Sequence, residues 1–280
     1  LTDNFKPTFA IVFLSIKQNH EEICDILNNE GIAIFGCTTS GDFIDSEISE
    51  GGIAIMLLDI DPALFKVVML ESGADSVYEV SKQIGASGKA SFQNPAFIIA
   101  TGWLHTDGEL IIKGIEEGVE GNPSIYGGMA GDDLALSAPF VFTQGQKSIT
   151  AVIAIILDAD KIEVNGIATC GWKAVGIAKT ITKSVFNVIY TIDDQPALDV
   201  VMKYLGLNLD SQHIDGTLFN LGAYYPLQLE REGSPPVMRT AMLGNAEDHS
   251  LICAGPIPQG SKVLFSLPPD FDIIDTVVEE

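Results

Sequence analysis

The sequence predicts an α/β protein with mixed sheets, in two pseudo-repeated α/β halves followed by a smaller strand-rich segment. The apolar run Phe9 to Ser15, a helical stretch and the apolar run Ile32 to Phe35 make a β-α-β unit. Such a unit sets two parallel strands side by side through a right-handed crossover. The same order recurs at Phe97 to Thr101, Glu109 to Val119, and Ile125 with Tyr126. In both copies the second strand is expected to end at glycine, and the chain then passes small residues to a Gly-Asp pair: "GCTTSGD" at 36–42 and "GGMAGDD" at 127–133. The strands that follow each loop have connections too short for crossovers, so the sheets are expected to be mixed rather than purely parallel. The repeat spans 9–70 and 97–157, and domains are expected at 1–192 and 193–280.

In chain order, Asn19 is expected to cap the first helix, with Glu21 and Glu22 in its first turn and Gly31 as its stop. Ile23, Ile26 and Leu27 are its apolar face. Gly52 to Leu58 and Phe65 to Leu70 read as strands joined by the turn "DIDPA". "GADSVYEVSKQIGASGKAS" reads as a surface helix that gives way to a Gly- and Ser-rich loop. After the second glycine loop, "APFVF" and "ITAVIAIIL" match the strands that follow the first. "KIEVNGIA", "AVGIAKTIT" and "VFNVIYTI" then read as strands. "QPALDVVMKYLG" reads as a helix starting at Pro196 and stopping at Gly206. "LQLE", "VMRTAMLG", "SLICAG" and "KVLFSL" read as short strands. "FDIIDTVVEE" looks like the start of a further helix, so the chain is expected to continue in a longer parent. Leu1 in place of Met is expected to mark a missing N-terminal piece.

Hydrophobic residues make up 46% of the 280 residues, enough for a large core and against disorder. The net charge of −23 argues against nucleic acid and against an anionic membrane surface. It fits a cytoplasmic protein of bacterial type. No apolar run is long enough to cross a bilayer, so membrane insertion of this segment is not expected. Cys24, Cys37, Cys170 and Cys253 form no C-x-x-C pair and fit free thiols in a reducing compartment.

Four landmarks in this order resemble one family: "GCTTSGD" at 36–42, "YGGMAGDD" at 126–133, "GWKAVGIAKTITKSVFNVIYTIDDQPAL" at 171–198, and "MRTAM…GPIPQGSKVLF" at 238–265. The chain resembles the FIST proteins, sensory modules of bacterial and some eukaryotic signalling proteins. The match covers an N-terminal part and the start of a C-terminal part. A further family stretch with Cys, Arg and acidic residues has no counterpart after Phe271. The resemblance implies a small-molecule ligand, an amino acid or related metabolite, whose binding is passed to an output domain or protein. It does not imply an enzyme, and whether this chain is one stays open. Some relatives bind haem and respond to nitric oxide, so a haem-binding gas sensor is the alternative the resemblance implies, with His105 the first candidate axial ligand; otherwise no cofactor is expected.

Candidate ligand contacts gather at the loops. Cys37 follows a strand and could be a nucleophile; the plainer reading is a small buried residue packed beneath the loop. Thr38, Thr39 and Ser40 offer hydroxyls, and the loop around Gly41 offers N–H donors, which suit a carboxylate or small anion. No phosphate-loop or dinucleotide motif is present. Gly128, Met129 and Gly131 form the second loop. Asp132 and Asp133 after them could hold a ligand amine or a hard cation, or could be a helix cap or a solvated turn. Trp103 and His105 leave another strand end as an apolar wall and a switchable donor. Arg239, in an apolar strand, could pair with an acid of the protein or hold a ligand carboxylate. Metal ligation is not expected.

Overall fold

The computed structural model describes residues 4–44, 47–72, 76–102, 107–133, 135, 138–167, 170–207, 218, 221–270, 273–274 and 278. The chain forms two compact units, Leu1–Gly166 and Ile167–Glu280.

The first unit starts with β1 (Phe9–Ser15), α1 (His20–Asn29) and β2 (Ala33–Thr39). The Asn19 side chain accepts from Glu21 N–H and caps α1, and Gly31 leaves it at φ 72°. β1 and β2 are parallel, Phe9 opposite Ala33 through Ser15 opposite Thr39. The hairpin β3 (Asp42–Ile44) and β4 (Glu47–Ser49) follows, then β5 (Ile53–Leu58), antiparallel to β1. Next come β6 (Phe65–Glu71), α2 (Val77–Ser91), β7 (Pro95–Thr101), α3 (Gly108–Val119) and β8 (Ile125–Met129). β7 and β8 are parallel. The hairpin β9 (Val141–Thr143) and β10 (Gln146–Ser148) leads to β11 (Ala151–Asp158), antiparallel to β7.

The pairing order β2-β1-β5 thus recurs as β8-β7-β11, with a β-hairpin before the last strand each time. Each sheet also takes strands from the other half. The β9–β10 hairpin flanks β2, giving β10-β9-β2-β1-β5; β6 flanks β11, giving β6-β11-β7-β8.

Side-chain alternation sorts the layers. Phe9, Phe35, Ile153 and Ile155 fill the space between the two sheets. Val12, Leu14 and Ile34 face the other way, towards Ile23 and Leu27 of α1 and Phe142 of β9. Phe97 and Ile156 pack against Ile84 of α2 and Ile111 and Ile115 of α3. The layers run helix, sheet, sheet, helix pair.

Three expectations need correction. β2 does not end at Phe35 but runs to Thr39, because β9 pairs with it at Gly36 and Cys37. A side chain at Gly36 would run into the Phe142 ring. β8 likewise runs through Gly127 and Gly128 to Met129, carried by β7. The Gly- and Ser-rich stretch 85–91 is helix, not loop, because Gly85 lies against α3 and Gly88 against the Phe97 ring of β7. "KIEVNGIA" forms no strand over residues 161–167; Ile162 and Val164 instead pack on the inter-sheet core.

The second unit holds β12 (Lys173–Val185), β13 (Val188–Ile192), β14 (Gln195–Pro196), α4 (Ala197–Leu205), β15 (Leu227–Arg231), β16 (Ser234–Arg239), β17 (Ala241–Gly244), β18 (Leu251–Cys253) and β19 (Lys262–Leu267). Its antiparallel sheet runs β16-β15-β19-β12-β13-β18-β17, with β14 on β13. Leu198, Val201 and Met202 of α4 join Ile189, Ile192 and Leu251 in its core. Gly206 ends α4 at φ 69°. Most of the expected terminal helix, 271–280, lies outside the described residues.

Candidate functional site

The carboxyl ends of β2 and β8 release their loops into direct contact. Gly131 N–H donates to the Thr38 carbonyl at 2.8 Å and Asp133 N–H to the Thr39 carbonyl at 3.2 Å. A Cβ at Gly131 would lie 2.8 Å from Ser40 N, so only glycine permits this approach. Thr38 is fully buried; its hydroxyl accepts from Phe140 N–H at 3.0 Å and lies 3.4 Å from the Phe140 carbonyl. It therefore ties the segment before β9 to β2. Ser40 and Gly41 are exposed beside it, as are Gly128 and Met129.

The two Gly-Asp pairs behave differently. Asp132 is 2% exposed, and its Oδ2 accepts from Ala138 N–H at 3.2 Å, bracing the second loop. Asp133 adopts φ 54° and accepts from the Ser15 hydroxyl at 2.6 Å, with the Lys17 ammonium at 3.2 Å. In the first loop, Thr39 Oγ1 donates to Asp42 Oδ1 at 2.8 Å. Asp42 is 6% exposed. Among the described residues its Oδ2 is buried with no hydrogen-bond partner. Leaving a buried acceptor unpaired costs about 1–3 kcal/mol, and more for a charged group.

The model of the FIST N domain matches residues 8–195. The chain belongs to the FIST family. FIST domains are sensory modules of signal transduction. Comparison with curated proteins and with solved structures finds no match. The FIST match runs past Gly166, so it takes in the whole first unit from Thr8 and continues through β12 and β13 of the second. Among the described residues no helix of this FIST chain is long and apolar enough to cross a membrane.

The remaining candidates fall into place around these loops or apart from them. Cys37 sits in β2 at 6% exposure, and burial, aided by the Asp42 charge, pushes its thiol up to about 12. A nucleophilic cysteine needs the opposite shift, so the geometry does not favour the Cys37 enzyme reading. Arg239 belongs to the second unit, where its Nε donates to the Pro256 carbonyl at 2.8 Å and Nη1 to the Met238 carbonyl at 3.2 Å. Trp103 and His105, the latter the candidate axial ligand if haem is bound, lie outside the described residues. The sequence reading missed Ser15, Lys17 and Asp42. The signal for Asp42 was available, since Gly41-Asp42 matches Gly131-Asp132.

Asp133 yields a pH prediction. The Ser15 hydroxyl first, and then Lys17, hold its carboxyl below the usual aspartate range against partial desolvation. A carboxyl with a lowered folded-state pKa contributes stability that is complete above its unfolded value. That contribution is lost as the pH falls through the folded value. Asp133→Asn is therefore expected to be less stable than wild type at neutral pH, with the gap closing in acid. Urea melts of both proteins at neutral and strongly acidic pH check this; a gap that persists in acid contradicts it.

Proposed function

We propose that this FIST chain is the input domain of a signalling protein and senses a free amino acid where the two loops meet. One observation carries the reading. The hydrogen bonds from Gly131 and Asp133 to the ends of β2 bring both glycine loops into one cluster at strand carboxyl ends. Ligands of open α/β sheets sit at such edges. The cluster has two chemistries. The exposed Ser40 hydroxyl and loop N–H groups suit a carboxylate. The acidic side chains of the Gly-Asp pairs suit an ammonium group. An amino acid carries both groups, and an output domain or partner protein would read its binding.

The test is thermal shift followed by calorimetry with each proteinogenic amino acid. At a hundredfold excess over Kd, binding stabilises by about 2.7 kcal/mol, on the order of 5–10 °C in Tm for a unit of this size. At least one amino acid is expected to give a saturable shift of that order. No shift from any of them at saturating concentrations, with the protein folded, overturns the reading.

A further inference from the structure

We propose that Asp42 is the seat of an ammonium subsite in the first glycine loop, taking a primary cationic nitrogen on its Oδ2. As a contact to the sensed ligand, this rests on the amino-acid reading above; as a site for a primary ammonium group, it stands separately.

The starting point is a buried carboxylate with one oxygen used and one not. Thr39 Oγ1 occupies Oδ1 at 2.8 Å. Oδ2 is enclosed, and among the described residues it has no partner. Buried polar atoms are nearly always paired in folded proteins, and a buried carboxylate has given up its hydration. Among the described residues the cation in contact with the neighbouring loop is Lys17, whose ammonium is 3.2 Å from Asp133 Oδ2. The matching acid of the second copy, Asp132, already accepts from Ala138 N–H. Asp42 thus differs from its counterpart in leaving an acceptor open.

The surroundings favour an ammonium group. Ser49 lies opposite Asp42 across the β3–β4 pair. Asp42 Oδ2 lies 3.9 Å, and Ser49 Oγ 2.6 Å, from the point where a Cβ at Gly52 would sit. Glycine at 52 therefore leaves room for the Ser49 hydroxyl, which with Asp42 Oδ2 sets two oxygens on this side. An ammonium group has three donors and no acceptors, and these oxygens can each accept one. A guanidinium is a poorer match, since its bidentate grip needs both carboxylate oxygens and Thr39 holds one. A hard divalent cation needs six or more oxygen ligands. Among the described residues no group of three or more His, Cys, Asp or Glu side chains could hold a metal.

The test compares methylammonium chloride with tetramethylammonium chloride and sodium chloride at matched ionic strength, read as Tm of the full chain. Tetramethylammonium has the charge but no N–H donor. Methylammonium is expected to raise Tm above both other salts in wild type. The excess should vanish in Asp42→Asn, which keeps the shape and removes the charge. It should shrink in Gly52→Ala, which crowds the Ser49 hydroxyl and keeps the charge, and which also decides the matter if Asp42→Asn fails to fold. Equal shifts from the three salts in wild type, an excess retained in Asp42→Asn, or an excess undiminished in Gly52→Ala, overturn the subsite. If the amino-acid screen yields a ligand, Asp42→Asn should weaken it about tenfold to a hundredfold. Unchanged affinity there also overturns the proposal. If the screen yields none, the methylammonium result still decides the subsite, so the two readings fail separately.

Discussion

Phe142→Ala is expected to lower the stability of the first unit by about 3–5 kcal/mol, the usual cost of emptying a buried aromatic site. Phe142 is 0% exposed. Its ring fills the space over Gly36, and the rings of His20 and Phe140 lie at 5.8 and 6.0 Å. The residue comes from the second half of the chain but seals the first sheet, through β9 on β2. Its loss should therefore lower the whole unfolding transition rather than loosen a surface hairpin. Phe43→Ala is the control, because Phe43 is 79% exposed and should change stability by no more than about 0.5 kcal/mol. Urea unfolding followed by tryptophan fluorescence and far-UV circular dichroism gives both numbers. A Phe142→Ala cost as small as that of Phe43→Ala would mean that β9 does not close this core.

The α2–α3 contact carries the second large effect. Glycines set the distance between these helices. A Cβ at Gly118 would collide with the Lys82 carbonyl, and one at Gly85 with the Ile115 carbonyl. A Cβ at Gly114 would stand 2.5 Å from the Tyr78 carbonyl and 2.8 Å from Ser81 Cβ. The obstacles at Gly118 and Gly85 are backbone atoms, so a methyl group fits only if the helices separate. Gly118→Ala is expected to destabilise by roughly 1–3 kcal/mol, as overpacking does. Gly108→Ala on the same helix should go the other way. Nothing lies within 4 Å of its added Cβ, and alanine is the better helix former by about 0.5–1 kcal/mol. Thermal unfolding of the two variants gives the signs directly. If both stabilise, the close approach of α2 and α3 is wrong.

The same contact explains why α2 was only half legible. Val77, Val80 and Ile84 announce a helix by spacing, while Gly85, Ser87 and Gly88 look like its end. Intrinsic propensity is a weak prior, and small residues are favoured where another backbone must come close. The surface ion pairs beside this crossing, Lys82 with Glu117 and Lys89 with Glu120, add little by comparison.

The sequence by itself determined the α/β class, the two β-α-β units, the caps at Asn19 and Gly206, and an acidity that disfavours nucleic acid. These follow from local rules of apolar period, capping chemistry and charge. It also marked Gly41-Asp42 and Gly131-Asp132 as corresponding pairs. Only the tertiary structure decided how far the strands run and what the two acids do. Gly36, Gly127 and Gly128 look like loop starts, yet each stays in a strand because a neighbour from elsewhere in the chain pairs with it. Asp132 and Asp42 follow the same residue in matching loops, but Ala138 N–H reaches one carboxylate while Oδ2 of the other is left with no partner among the described residues. The physical reason is common to both cases. Hydrogen-bond partners distant in sequence fix strand length and the role of a buried charge, and local pattern carries no record of which distant segment arrives.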